Sequence, residues 1–133
     1  MGTKSTYFEN KVLAAAGNAG SYTGVGTVYS ALFTVIPSAS TAGTEVTNAT
    51  SGYTRVATTF CTAGVTAAGQ MVNTAILSFA TLLAAVTVVG WALCDTSTVG
   101  AGNELYWATV TTIAFGIGDQ PVVAVGGVVI TEA

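Results

Sequence analysis

Ala75-Ile76-Leu77-Ser78-Phe79-Ala80-Thr81-Leu82-Leu83-Ala84-Ala85-Val86-Thr87-Val88-Val89-Gly90-Trp91-Ala92-Leu93-Cys94 runs without a single charge, and its reading decides the fold. It is as long as a helix that crosses a bilayer, about 20 residues. Three features favour strands instead. No Lys or Arg follows Arg55, so nothing orients a span by the positive-inside rule. Ser78, Thr81 and Thr87 interrupt the run, and Val86-Thr87-Val88-Val89 is a β-branched cluster. At its start Thr74, Ile76 and Ser78 alternate with Ala75, Leu77 and Phe79, which is the period of a strand. The expectation is two strands, Met71–Phe79 and Val86–Cys94, with no membrane partner. The second is apolar on both faces, so it belongs in the middle of a sheet or beneath a neighbouring subunit.

Similar segments lie on either side. Thr27–Ile36 places Val28, Leu32 and Ile36 on one face and Tyr29, Phe33 and Val35 on the other, and Pro37 ends it because proline cannot donate to a ladder. Glu45–Thr47 reads as a short edge segment, and Tyr53–Phe60 as a strand entered through Ser51-Gly52. Glu104–Thr112 is expected to pair with Val86–Cys94, across Asp95–Asn103 as the longest exposed loop. Val122–Val125 and Val128–Thr131 close the chain, with Gly126-Gly127 as a bulge or tight bend. Before all of these, residues 5–16 read as one helix. Thr6 and Glu9 have capping-box spacing, Phe8, Val12 and Ala15 share a face, and Gly17 is placed to end it in the left-handed conformation. The fold expected is all-β, an antiparallel β-sandwich of seven to eight strands over 26–131 with one N-terminal helix, in a single domain spanning 1–133.

Composition limits function. Of 133 residues, 7% are charged, with three basic, six acidic and no histidine, for a net charge of −3. Nucleic-acid binding is therefore not expected. The absence of histidine removes the usual neutral-pH base and the commonest metal ligand. Glu9, Glu45, Asp95, Glu104, Asp119 and Glu132 are scattered, and the hydroxyls lack an activating base. Gly24-Val25-Gly26 and Gly116-Ile117-Gly118 read as turns rather than dinucleotide loops, and Asp95-Thr96-Ser97-Thr98 lacks the spaced acids of a calcium loop. No catalytic residue, cofactor or metal is expected. Cys61 and Cys94 read as small buried hydrophobes, with a single bridge as the alternative. Tyr7-Phe8-Glu9-Asn10-Lys11 argues against a signal peptide. Met1-Gly2-Thr3-Lys4-Ser5-Thr6 fits an acylation pattern, and Asn48-Ala49-Thr50 a glycosylation sequon, only loosely.

A surface of Thr, Ser, Ala and Gly with so few charges points to assembly, since isolated monomers rely on interspersed charge for solubility. The candidate subunit contacts are Tyr7, Phe8 and Val12 on the helix, together with Trp91 and Trp107. For Tyr7 and Phe8 the alternative is packing on their own sandwich, and for the tryptophans it is cross-strand packing with each other.

Ser5-Thr6-Tyr7-Phe8-Glu9-Asn10-Lys11-Val12-Leu13 and Val28-Tyr29-Ser30-Ala31-Leu32-Phe33-Thr34 up to Pro37 resemble the opening of a family of small tailed-bacteriophage virion proteins. Gly43-Thr44-Glu45-Val46, Gly52-Tyr53-Thr54-Arg55, Asn73-Thr74-Ala75, Gly90-Trp91-Ala92-Leu93-Cys94-Asp95 and Leu105-Tyr106-Trp107 continue it in order; Leu83-Ala84-Ala85 departs from it, where a Trp-Gly turn is expected. Members are labelled tail fibre, minor structural or head decoration proteins, so the resemblance implies a non-enzymatic virion component of sandwich type. A fibre needs extension, and neither a repeat nor a coiled coil is present. The expectation is therefore a decoration or cement protein on the head surface that bridges major capsid protein subunits, as a homo-oligomer such as a trimer. Tail, baseplate or tail-fibre attachment is the runner-up, and a carbohydrate-binding sandwich the alternative from another class.

Overall fold

The computed structural model describes residues 3–132. Met1 and Gly2, where the acylation pattern begins, lie outside them, as does Ala133. The element order is β1 (Thr3–Lys4), α1 (Thr6–Ala16), β2 (Val28–Val35), β3 (Thr44–Glu45), α2 (Asn48–Ser51), β4 (Val56–Thr58), β5 (Gln70–Val72), β6 (Leu77–Ser78), β7 (Val86–Cys94), β8 (Glu104–Phe115), β9 (Val122–Val123) and β10 (Val129–Thr131). All the strand pairs are antiparallel. The principal sheet runs β1-β8-β7-β2-β3, with β4 also on β2, and β10-β5 and β6-β9 form two short ribbons. The fold is mainly β and sandwich-like, with the helix at its N-terminal side, as the alternation implies.

The stretch that decides the fold is strand, loop and strand. Among the described residues no helix is long and apolar enough to cross a membrane. β7 is the middle of the principal sheet, between β2 (Leu32 opposite Trp91) and β8 (Leu93 opposite Tyr106). A central strand shows both its faces to packed neighbours, so its sequence carries almost no polar alternation. One face joins Leu32, Val88, Trp91, Leu93 and Tyr106 to Phe79, Leu82 and Ile130 of the ribbon layer, which is the core. The other face holds Ala31, Phe33, Ala92 and Cys94, with Trp107 packed against them. The chain after β2 folds back at Pro37, which is fully buried. That return needs Gly43 at φ 69°, where a Cβ would stand 2.6 Å from both Pro37 N and Val35 O.

Several expected boundaries move. Met71–Phe79 is two short strands, because Asn73 leaves the ladder. Its side chain, fully buried, donates to Ala75 O and Ala124 O (both 2.9 Å) and accepts from Val128 N (2.8 Å). Tyr53–Phe60 keeps only Val56–Thr58 as strand, with a single bridge from Phe60 to Asn73. β8 extends three residues past the expected Thr112. β1 and the one-turn α2 are additional elements. Asp95–Asn103 is shorter than the connections over 17–27 and 59–69. Gly126-Gly127 is a tight turn, with Gly126 at φ 74° and Gly127 N–H donating to Ala124 O at 2.9 Å.

The helix caps also differ by one position. Ser5, not Thr6, is the N-cap, accepting from Phe8 N at 3.2 Å, while Thr6 Oγ1 donates to Ala39 O at 2.7 Å. Ser5 wins because β1 holds it in extended backbone (φ −75°, ψ 154°), the conformation a cap requires. Gly17 sits at φ −81°, and the left-handed residue is Asn18 at φ 53°. Asparagine tolerates that region better than other residues with a Cβ.

Candidate contact surface

None of the residues of α1 is buried. The helix touches the sheet through Phe8, whose ring meets Tyr106 edge-on at 5.2 Å and Tyr22 at 5.5 Å. Tyr7 and Val12, five positions apart along the helix, are 39% and 38% exposed, and Leu13 is 71% exposed. Of the five candidate contact residues, Tyr7 and Val12 thus present the most open surface, and Phe8 packs on its own chain. The tryptophans do not meet. Trp91 lies opposite Ala108 and Trp107 opposite Ala92, and neighbouring positions along a strand point to opposite faces. Trp91, 6% exposed, is in the core, and Trp107 is half-buried on the other face. Each keeps a buried indole N–H without a hydrogen-bond partner. The sequence placed them on adjacent strands but did not reveal the register.

The structure assembles a charged cluster that the sequence leaves dispersed. Arg55 donates through Nε and Nη2 to Glu45 Oε1 and Oε2, both at 2.8 Å, with the two side chains 3% and 7% exposed. Its Nη1 donates to Thr96 O (2.8 Å) and Ala101 O (3.0 Å), and Gly100 N donates to Glu45 Oε2 (2.7 Å). One buried pair therefore anchors the 95–103 loop. Tyr53 OH joins it, donating to Glu45 at 3.1 Å and accepting from Leu32 N at 2.9 Å. Burial foremost, then the Glu45 charge, pushes the Tyr53 hydroxyl well up. Burial opposes the charge on Arg55, but the Glu45 hydrogen bonds keep it above its ordinary value. At the rim, burial raises the Glu104 carboxyl to about 7, with Arg55 pulling against it and Glu45 adding to it. Cys61 and Cys94 are both free, and burial pushes the Cys94 thiol up to about 12. Among the described residues no three His, Cys, Asp or Glu side chains gather where they would hold a metal ion.

Two stretches of surface remain open and apolar. A cleft of about 240 Å3 lies between β8 and the ribbon residues Pro121–Val123 and Gly127–Val129, floored by Phe79, Val88 and Trp91. Of the residues that line it, Val110, Ile113 and Val122 are 36%, 47% and 56% exposed. The outer edge of β8 is paired by β1 only at Tyr106 and Trp107, so from Ala108 to Phe115 it has no strand beside it among the described residues.

These features describe a β-rich chain with a sparsely charged, partly apolar surface. A family model described as podophage GP4 fiber I protein gp80 matches residues 3–131, and the chain belongs to that family. No curated protein matches it. The resemblance to phage virion structural proteins read from the sequence agrees with this family, whose description names a fiber protein.

Proposed function

We propose that this chain is a non-enzymatic subunit of the tail-fibre apparatus, seated against other virion proteins through its sparsely charged surface. The observation that carries the reading is the match to a fiber I family over residues 3–131. The exposed apolar side chains of α1, Tyr7, Val12 and Leu13, support a role in attachment. Electron microscopy of particles labelled with antibody against this chain tests the placement. Label at the tail or its appendages is the expected result, and label spread over the shell overturns it.

The second reading is a decoration protein on the major capsid protein. It is favoured by a compact sandwich-like form with no coiled coil or repeat among the described elements. A cement protein stabilises the shell by mass action. Particles lacking the chain would then release their genome at a lower temperature than complete ones, whereas loss of a fibre subunit leaves that temperature unchanged.

A further inference from the structure

The N-terminal segment that carries β1 and α1 is fastened to the sheet at one end. Thr3 and Lys4 pair with Trp107 and Tyr106 of β8. Ser5 N donates to Leu105 O at 2.9 Å and the Ser5 hydroxyl to Glu104 O, while Thr6 Oγ1 donates to Ala39 O. Phe8 leans edge-on against Tyr106. Lys4 adds its ion pair with Glu132, the two side chains being 31% and 41% exposed. All of these contacts come from residues 3–8. Of the eleven residues of α1 only Phe8 and Ala14 are half-buried, and Ala14 lies beside Gly20 of the loop that follows. In that loop residues 20–26 are all exposed except Tyr22, and they make no backbone hydrogen bond among the described residues.

We propose that residues 3–16 are a detachable strap, which leaves the sheet as a unit while the sheet stays folded, with the Lys4–Glu132 pair as its latch. Segments that bury little apolar surface open well below the energy of global unfolding. The buried core residues all lie at Ala31 or beyond, so the core keeps its partners when the strap leaves and loses only Phe8 at its rim. Glycines at 17, 20, 24 and 26 let the connecting loop swing clear. Undocking uncovers the ladder groups of Tyr106 and Trp107, and it turns the Phe8 ring to solvent. The inference concerns this chain alone and stands whichever virion protein the chain meets.

Hydrogen exchange of the full chain, read by mass spectrometry, tests it. The helical amides of residues 9–16 are expected to exchange together, roughly a hundredfold faster than those of β7. Glu132→Gln, which loosens the part-exposed latch, should speed them about threefold. Val88→Ala, in the core and away from the strap, should speed exchange in β7 and leave 9–16 unchanged. Trypsin supplies a second readout, since Lys4→Gln leaves it only Lys11 and Arg55 to cut. Cleavage at Lys11 is expected to spare Arg55 and to leave a 12–133 chain with the strand-rich spectrum. Protection of 9–16 equal to that of β7, or a rise in both on Val88→Ala, overturns the inference, because the strap then opens only with the whole fold. So does cutting at Arg55 as fast as at Lys11. Exchange of 9–16 that Glu132→Gln leaves unchanged overturns it as well, since the helix then frays from its far end without undocking.

Discussion

Arg55 neutralises Glu45 and holds two carbonyls of the 95–103 loop. Replacing one partner of a buried pair leaves the other charge uncompensated, at a cost of about 3–5 kcal/mol. Arg55→Met is expected to destabilise by that amount in chemical unfolding, with amide exchange rising first over 95–103. Asn73→Ala removes three side-chain hydrogen bonds and leaves the buried Val128 N–H without its partner, and should cost about 1–3 kcal/mol, measured in the same way. Glu104 gives the pH dependence. Its carboxyl is held near 7 in the fold against an ordinary value of 4.5, so the native state binds its proton more tightly than the unfolded chain does. Stability should therefore fall as pH rises from about 4.5 to 7. Glu132 does not offset this trend, because its hydrogen bonds from Lys4 and Tyr106 outweigh burial and lower its carboxyl, placing its titration below that window. Glu104→Gln should flatten the profile in thermal melts between pH 5 and 8. Of the two thiols, only Cys61 is open enough to react with a disulfide reagent in the native state. One equivalent is expected before denaturation and two after it.

At the scale of elements, α1 is a helix stabilised by its cap and by one aromatic anchor. Ser5→Ala should cost about 1 kcal/mol, whereas Tyr7→Ser and Val12→Ser, both at exposed positions, should leave the melting temperature within a degree or two. Together those two changes are expected to weaken attachment to particles, read from the fraction of the chain that co-sediments with them. The strands were legible where one physical rule governs each residue. Val86–Cys94 is found with its boundaries as read, because a central strand is apolar throughout. The alternation of β2 survives because one of its faces meets the core and the other the Ala31–Phe33–Cys94 cluster. Boundaries failed where a side chain replaced the ladder, as Asn73 does, or where a neighbouring strand chose the cap, as β1 does for Ser5. The Glu45–Arg55 pair was illegible because the nine residues between them are closed into a loop only by the tertiary fold. The bulge in β8, between the residues opposite Val88 and Gly90, was equally hidden, since register is a property of two strands together.

For the whole molecule, the exposed area is 6957 Å2, against roughly 6,400 Å2 for a compact monomer of this mass. An excess of this kind fits a subunit that buries surface against neighbours, and a stable contact would take on the order of 1,000 Å2 or more. With so few charges involved, its strength should barely change between low salt and 1 M salt, because there is little for counterions to screen. Sedimentation across a salt series measures this. The ion pair of Lys4 with Glu132, 2.6 Å apart, and the hydrogen bond of Tyr106 to that same carboxylate bring the first strand and the last into one place. Lys4 and Glu132 therefore lie side by side, and the backbone between them is nearly a closed ring. Joining residues 4 and 132 through a short glycine-rich bridge and opening the ring within 62–68, where every residue is exposed, should give a permuted chain that folds to the same strand-rich spectrum. By the same geometry, the whole unit could be carried as an insert in the surface loop of a larger protein, hanging from it like a pendant on two adjacent threads.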